Sequence, residues 1–355
     1  MANLFSPLKI KNIEFKNRIV VSPMCEYSST DGFANDWHLV HLGSMAVGGA
    51  GLIITEAAAV SPEGRITFAD LGIWKDEHLP KLKQLVDFIE QQGCVAGIQL
   101  AHAGRKASHT EPWNGGKQIP SNEPNGWATV APSAIAFGHD AEAPVALDEA
   151  GIAKVKADFK VAAQRALQAG FKVAEVHAAH GYLLHQFLSP LSNQRTDVYG
   201  GSFENRIRLV LEVVESIQEV WPQDYPLFVR ISATDWTEGG WMPEESVKLA
   251  GILKEKGVDL IDCSTGGNVH AQIPVGPGYQ VEFAEQIRKE TGLMTGAVGM
   301  ITTGQQADEI IQSGQADLVF IAREFLRDLH FPLRAAHELG YDIKWPVQYE
   351  RAKWH

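Results

Sequence analysis

The chain has 355 residues, and 45% of them are hydrophobic, which is enough apolar material for a large buried core. Its formal net charge of −12 argues against nucleic acid or an anionic membrane as the main partner, because both attract clustered Lys and Arg. The sequence contains neither a run of ~20 apolar residues nor a basic amino-terminal segment followed by an apolar one, so we expect a soluble cytoplasmic protein.

The segment ahead of the first long apolar pattern predicts a small β-hairpin. Leu8–Ile10 and Glu14-Phe15 flank the polar pair Lys11-Asn12, as expected for two short strands joined by a turn. We expect this hairpin to close the amino-terminal end of the domain that follows.

Short apolar segments then alternate with longer helical patterns along the whole chain. This alternation is typical of a (β/α)₈ TIM barrel, an α/β fold in which eight parallel strands form a closed ring surrounded by helices. We expect residues 1–355 to form one domain, because no linker-like tract interrupts the pattern. The eight predicted strands are Ile19–Val21, Leu52–Thr55, Val95–Leu100, Val173–His177, Leu227–Ile231, Leu260–Cys263, Met294–Val298 and Leu318–Ile321.

Helices are predicted where apolar residues recur every three or four positions, or where a capping residue precedes such a run. The clearest predicted helices are His78–Gln92, Asp148–Ala169, Ser202–Val220 and Pro243–Lys256.

Two connections are too long to be simple turns. Residues 107–146 follow the third predicted strand, and residues 266–280 follow the sixth. Loops of this length in a compact domain are usually functional. Both leave the carboxyl face of the barrel, so we expect them to cover the site.

The loops after the seventh and eighth strands favour phosphate binding, which recurs at this place in TIM barrels. Gly299 permits a close approach of the backbone, and Arg323 offers a bidentate contact beside a helix amino terminus. The competing interpretation is a tight turn next to a surface arginine.

Gln99 and Arg230 end the third and fifth predicted strands in apolar surroundings. They either bond each other inside the barrel or bind a polar heterocycle, for which Gln supplies a donor and an acceptor and Arg a positive charge.

His177, His180 and Tyr182 follow the fourth strand at a spacing that lets all three face one cavity. Two chemistries fit this pattern. In the first, a zinc-dependent TIM-barrel hydrolase uses the two histidines as ligands, although such a site needs a third ligand. In the second, the histidines donate hydrogen bonds to a developing oxyanion and Tyr182 donates a proton. The residues alone favour the second chemistry and leave the first open.

The three cysteines are far apart, which indicates reduced thiols. Cys94 and Cys263 are interpreted as small buried hydrophobes. Cys25 lies just after the first strand, at the mouth of the barrel, where we expect it to lie beside a bound cofactor.

Several motifs, in order along nearly the whole chain, resemble those of the Old Yellow Enzyme family of NADH:flavin oxidoreductases. The cysteine after Pro23-Met24 and the terminal Gln348-Tyr-Glu-Arg351 are similar to the subgroup that contains xenobiotic reductase A. The motifs are Asn17-Arg-Ile19, Ser22-Pro-Met-Cys25-x-Tyr27, Gln99-Leu-Ala-His-Ala-Gly-Arg-Lys106, His177-Ala-Ala-His-Gly-Tyr182 and Arg195-Thr-Asp-x-Tyr-Gly-Gly-Ser202.

The resemblance implies an FMN-dependent ene-reductase. NADPH or NADH would reduce the flavin, and hydride would then pass to the β-carbon of an activated alkene such as an enone, maleimide or nitroalkene. The implied FMN-binding residues are Ser22, Pro23, Met24, Cys25, Ala57, Gln99, Arg230, Gly299, Met300, Ala322 and Arg323. The implied catalytic and substrate-binding residues are Cys25, Tyr27, His177, His180, Tyr182 and Arg351, supported by Arg105 and Lys106.

The resemblance also implies a homodimer or homotetramer in which Arg351 reaches the neighbouring subunit's site. This chain departs from the family pattern in a longer excursion between His109 and Val130, and in the residues that follow Arg351. An iron–sulfur cluster, present in larger relatives, needs more cysteines than the three of this chain.

Overall fold

The computed structural model describes residues 2–354, and its centre is a closed barrel of eight parallel strands. Around the ring these strands follow one another in the order of the chain, which confirms the predicted TIM barrel. The barrel strands are β3 Ile19–Val21, β4 Leu52–Ala59, β5 Val95–Ala101, β8 Val173–Ala178, β9 Leu227–Ser232, β10 Leu260–Ser264, β11 Met294–Ala297 and β12 Leu318–Ile321. The remaining strands form two pairs, β1 Leu8–Ile10 with β2 Ile13–Phe15, and β6 Val130–Ala131 with β7 Val145–Ala146.

Strand β4 continues four residues beyond its predicted end at Thr55. The prediction stopped because Glu56 interrupts the apolar run, but this carboxylate is buried with partners of its own. Its Oε2 accepts a hydrogen bond from the Glu26 amide at 3.0 Å, and its Oε1 lies 3.1 Å from His38 Nε2. A buried charge is tolerated when it is paired, so the strand runs on to Ala59.

The four predicted helices are confirmed to within two residues at each end. Asp148 and Ser202 cap two of them by accepting hydrogen bonds from the Gly151 and Asn205 amides. Within residues 2–354, no helix is both long and apolar enough to cross a membrane. The helices are α1 Asp36–Val47, α2 Leu79–Gln91, α3 Glu149–Ala169, α4 Leu183–Leu188, α5 Phe203–Gln218, α6 Pro243–Glu255, α7 Val281–Thr291, α8 Gly304–Gln312, α9 Arg323–Arg327 and α10 Phe331–Glu338.

The β1–β2 hairpin closes the amino-terminal end of the barrel, as predicted. Ile10, Ile13 and Phe15 belong to one buried cluster with barrel residues such as Val20 and Phe228. This cluster fills the amino-terminal half of the barrel interior with apolar side chains, so the polar interior positions lie nearer the carboxyl ends of the strands.

Strand alternation decides which polar residues face into the barrel. Phe228 belongs to the interior cluster, so Arg230, two residues later on β9, points the same way. Arg230 is aligned with His177 on β8 and with Asp262 on β10, and Glu175 is aligned with Gln99 on β5. The barrel interior near the carboxyl ends of the strands therefore contains five polar side chains, those of Gln99, Glu175, His177, Arg230 and Asp262.

Candidate active site

A cavity of about 200 Å³ opens where β11 and β12 end. Its walls include Gly299, Met300, Ala322 and Arg323, the residues predicted to hold a phosphate. Gly299 has a φ of +120°, and a Cβ there would lie 2.9 Å from Gln280 Nε2. The site therefore requires glycine, which lets the backbone approach a ligand. Helix α9 has only five residues, so the positive charge on this wall comes from side chains, the guanidinium groups of Arg323 and Arg327.

Gln99 and Arg230 bond different partners, so the interpretation of a mutual pair is wrong. Gln99 Nε2 donates to Glu175 Oε1 at 2.9 Å. Arg230 Nη1 donates to Ser22 Oγ at 3.2 Å, and its Nε lies 3.1 Å from Asp262 Oδ2. These contacts leave the Gln99 carbonyl and the rest of the guanidinium as an acceptor and donors of the kind that a polar heterocycle needs.

Glu175 and Asp262 are site residues that the sequence reasoning missed. Burial raises the pKa of Glu175 to about 8, and the charge of Asp262 adds to the shift. Burial also raises the pKa of Asp262 to about 6, while Arg230 opposes the shift. The detectable signal was an acidic residue inside each apolar strand, because such a position needs a buried partner.

The residues Ser22 to Cys25 form the rim beside Arg230. Ser22 directly follows β3 and is buried, while Pro23, Met24 and Cys25 are partly exposed. Ala57 lies across from them on β4, aligned with Gln99. The predicted heterocycle-binding residues thus come from the carboxyl ends of three neighbouring strands, β3, β4 and β5, and from β9.

Cys25 carries a neutral thiol. Burial raises its pKa well above the usual range, and the nearby carboxylates Asp70 and Glu56 raise it further. A nucleophilic cysteine would need the opposite shift. Tyr27 follows with a φ of +47°, and its ring meets the edge of Trp113 at 5.9 Å. The long excursion therefore contributes an aromatic residue beside Tyr27.

His177, His180 and Tyr182 face one another, as predicted. The imidazole centroids are 5.1 Å apart, and the Tyr182 ring lies 5.0 Å from His177. His177 Nδ1 accepts from the Ala179 amide at 3.3 Å, so its proton resides on Nε2. His180 Nε2 lies 2.7 Å from Ser264 Oγ.

Both histidines are neutral at neutral pH. Burial lowers their pKa values well below the usual range, and the charge of Arg230 lowers them further. Burial raises the pKa of Tyr182 well above its usual range, so the phenol keeps its proton. The motif thus offers neutral N–H and O–H donors.

The metal interpretation lacks ligands. In the part of the chain that the structure describes, no three His, Cys, Asp or Glu side chains are grouped so that they could hold a metal ion. Catalytic zinc sites use three protein ligands and an open position. The pair His177 and His180 therefore fits hydrogen bonding better than zinc binding.

Arg105 and Lys106 join the two long loops above this motif. Arg105 Nη2 donates to the Asn268 carbonyl at 2.6 Å, and its Nη1 donates to the Ile135 carbonyl at 3.2 Å. Lys106 Nζ donates to the carbonyls of His180 at 2.8 Å and Gly267 at 2.9 Å. The loops at 107–146 and 266–280 therefore meet over the motif, as expected from the sequence.

The carboxyl-terminal tail lies against α10 of its own chain. Trp354 stacks on His337 at 4.7 Å, and Tyr349 meets His330 at 5.6 Å. Arg351 is exposed in a single turn between these contacts. The structure thus ties down the tail and leaves the Arg351 side chain at the surface.

A TIM barrel with a cavity beside Arg323 at the ends of β11 and β12, polar side chains inside its mouth and a neutral His–His–Tyr group fits a flavin-dependent oxidoreductase. The model of the NADH:flavin oxidoreductase / NADH oxidase family matches residues 3–342, and the chain belongs to this family. The predicted relation to Old Yellow Enzyme is confirmed, and with it FMN and a nicotinamide nucleotide as cofactors.

Individual relatives agree with this assignment. The chain is 52% identical over 350 residues to an NADPH dehydrogenase of Bacillus subtilis (strain 168), covering 98% of each chain. Morphinone reductase superposes with a TM-score of 0.79 at 30% identity, with 97% of this chain and 91% of that chain covered. An old yellow enzyme homologue of Zymomonas mobilis gives a TM-score of 0.80 at 27% identity, with 98% and 96% covered.

Proposed function

We propose that this flavin-dependent oxidoreductase is an ene-reductase that acts on activated alkenes such as enones, maleimides and nitroalkenes. One observation carries the proposal: the neutral donors of His177, His180 and Tyr182 converge at the mouth of the barrel that holds Gln99 and Arg230. Bound FMN supplies the hydride that it has received from the nicotinamide nucleotide.

The cofactor would be held by the two parts of the site described above. Gly299, Met300, Ala322 and Arg323 fit the phosphate, since their cavity combines close backbone approach with a guanidinium. Ala57, Gln99 and Arg230 fit the isoalloxazine, whose polar edge needs both donors and an acceptor. Ser22, Pro23, Met24 and Cys25 would border the reactive part of the ring.

His177 and His180 would bind the oxygen that activates the alkene. Hydride addition at the β-carbon places enolate charge on that oxygen. Preorganised donors stabilise this charge more than they stabilise the neutral carbonyl of the substrate, and the difference accelerates the reaction. Tyr27 would line the same pocket.

Tyr182 would protonate the α-carbon. Its hydroxyl holds a proton because burial raises its pKa. Lys106 lies 5.2 Å from the centroid of the Tyr182 ring, so its charge stabilises the tyrosinate left after proton transfer. Burial lowers the pKa of Lys106 to about 8, which still leaves it mostly charged at neutral pH.

We further propose NADPH as the preferred reductant and a site shared between subunits. The first proposal rests on the Bacillus subtilis relative, which is an NADPH dehydrogenase. The second rests on Arg351, an exposed arginine among the aromatic side chains of Tyr349 and Trp354, a composition typical of interfaces. Arg351 would border the partner's substrate pocket in a homodimer or homotetramer.

A spectrum of the purified protein, before and after anaerobic NADPH, tests the function. We expect a yellow protein that releases FMN on denaturation, bleaches with NADPH, and recovers its colour when 2-cyclohexenone is added and reduced to cyclohexanone. A colourless protein that FMN does not reconstitute, or one that contains zinc and hydrolyses esters, would overturn the proposal.

The variant Tyr182→Phe tests the proton donor. Reduction by NADPH should proceed at a rate close to wild type, since that step requires no proton at carbon, whereas enone reduction should slow by about 100-fold or more. Stopped-flow measurement of each half-reaction separates the two. A slowed NADPH step with an unchanged enone step would assign Tyr182 another role.

A further inference from the structure

A buried pair, Asp235 and His185, lies behind the turn that carries His180 and Tyr182. Asp235 Oδ1 is 3.0 Å from His185 Nε2, and both side chains are 0% exposed. Asp235 Oδ2 accepts from Ser189 Oγ at 2.5 Å and from the Trp241 amide at 2.8 Å. Burial alone would raise the pKa of Asp235, but His185 and these hydrogen bonds lower it to about 2. Asp235 is therefore a carboxylate at neutral pH.

Ser189, Asp235 and His185 are the residue types of a hydrolytic triad, but their connections differ from one. Ser189 donates to Asp235 and not to the imidazole. His185 Nδ1 accepts from the Gly181 amide at 2.9 Å, so this nitrogen carries no proton. The carboxylate at Nε2 and the amide at Nδ1 together specify the Nε2–H tautomer.

The Gly181 amide belongs to a turn that needs support. His180 has a φ of +58° and Gly181 a φ of +72°, so two consecutive residues are left-handed. This conformation is unfavourable for a histidine unless the surroundings hold it. The His180 amide donates to Ser232 Oγ at 2.9 Å. The amide of the next residue, Gly181, donates to His185 Nδ1, so His185 supports the turn between His180 and Tyr182.

We propose that His185 and Asp235 are positioning residues for the reaction. Asp235 fixes the imidazole in the tautomer that accepts the Gly181 amide, and this bond keeps the left-handed turn that orients His180 and Tyr182 towards the substrate. The proposal deepens the proposed ene-reductase function and rests on it. Hydrogen-bond partners that orient metal ligands change affinity or activity by about 10- to 100-fold when they are mutated, and we expect an effect of the same order for this pair.

Asp235→Asn is the sharpest test, because it changes one atom of the pair. The amide oxygen can keep the bonds from Ser189 and Trp241, while the NH₂ group faces His185 Nε2. The imidazole proton must then move to Nδ1. There it faces the Gly181 N–H, so two donors meet and the hydrogen bond is lost. Ser189→Ala is the matched control, since it removes another bond of the same carboxylate without changing the tautomer.

In the FMN-loaded Asp235→Asn enzyme, we expect ¹⁵N NMR of His185 to show the proton on Nδ1 and faster exchange of the Gly181 amide. The enone half-reaction and the affinity for 4-hydroxybenzaldehyde should fall about 10- to 100-fold. FMN content and the NADPH half-reaction should stay within about twofold of wild type. Ser189→Ala should keep the wild-type tautomer and the wild-type enone rate within about twofold.

A second pair of variants covers the case in which Asp235→Asn does not fold. His185→Asn can offer its amide oxygen near the place of Nδ1 and should keep more enone activity than His185→Leu, which offers no acceptor. Equal enone rates in these two variants would overturn the proposal. So would a switched tautomer with an unchanged enone rate, or equal losses in both half-reactions.

The outcomes separate this proposal from the function on which it rests. A wild-type enzyme that oxidises NADPH but reduces no alkene refutes the ene-reductase function. The tautomer of His185 and the exchange of the Gly181 amide can still be measured in that protein, and they report directly on the turn.

Discussion

At the scale of single residues, the site contains polar side chains that are neutral at neutral pH and can still donate hydrogen bonds. His177, His180 and Tyr182 are all shifted by burial towards their uncharged forms. A neutral imidazole still donates one hydrogen bond, and in a water-poor pocket that bond to an oxyanion is stronger than in solution.

Replacing His177 or His180 with Ala should weaken the binding of phenolic or enone ligands. A hydrogen bond to a charged oxygen contributes about 1.5–3 kcal/mol, so we expect a loss of roughly tenfold or more in affinity. Titration followed by flavin absorbance measures it. His139→Ala, a change at a fully exposed histidine, serves as the control. Unchanged titrations in both site variants would reject the oxyanion assignment.

Replacing Cys25 with Ala should lower the flavin midpoint potential. The thiol is neutral. In the proposed site it would be a weak donor beside the ring, and a donor stabilises the electron-rich reduced form more than the oxidised form. Losing about 1 kcal/mol over two electrons corresponds to a fall of about 20 mV. Cys94→Ala is the control, because Cys94 precedes the first residue of β5 at the amino-terminal end of the barrel. Equal potentials would return Cys25 to a packing role.

At the scale of elements, the strands set the positions and the loops set the environment. Alternation on β8 and β9 places His177 and Arg230 side by side, because a strand turns every second residue to the same face. The two long loops then cover these residues through Arg105 and Lys106. Excluding water in this way strengthens every hydrogen bond inside the site.

The loop after β11 provides a test at this scale. Gly299→Ala should weaken FMN binding by about tenfold or more, because a Cβ would lie 2.9 Å from Gln280 Nε2 and would strain a φ of +120°. Titration of the apoprotein with FMN measures the loss. Gly276→Ala, at a position with no atom within 4 Å of the added Cβ, should bind FMN normally. Equal affinities would contradict the assignment of this loop.

At the scale of the whole molecule, the carboxyl-terminal tail is the segment on which the proposed oligomer depends. Trp345, Tyr349 and Trp354 surround a cavity of about 620 Å³ on the outside of the barrel, beside α10. The contacts with α10 show that the tail is tied down within its own chain. The Arg351 side chain is exposed, as the proposed contact with a partner subunit requires.

Deleting residues 346–355 should weaken a dimer and raise KM for the alkene several-fold, with FMN still bound, because the FMN-lining residues lie elsewhere in the chain. Analytical ultracentrifugation and steady-state kinetics measure the two effects. Arg351→Ala should raise KM without changing the oligomeric state. A truncated protein with unchanged mass and kinetics would leave the tail as packing on α10.

Much of this protein follows from the sequence, because strand and helix periods are local properties. All eight barrel strands, the plugging hairpin and the capped helices were predictable in this way. The positions of His177, Arg230 and Arg323 at strand ends were predictable too, since a closed parallel barrel gathers those ends on one face.

Only the tertiary structure decided how the polar groups pair. Gln99 contacts Glu175 and Arg230 contacts Asp262 across neighbouring strands, and Asp235 contacts His185, which lies 50 residues earlier in the chain. Such pairs depend on which strands become neighbours and how deeply each group is buried, and neither property is encoded in a local window. The same burial sets the protonation of the histidines and of Tyr182, so the chemistry of the site is a property of the folded barrel.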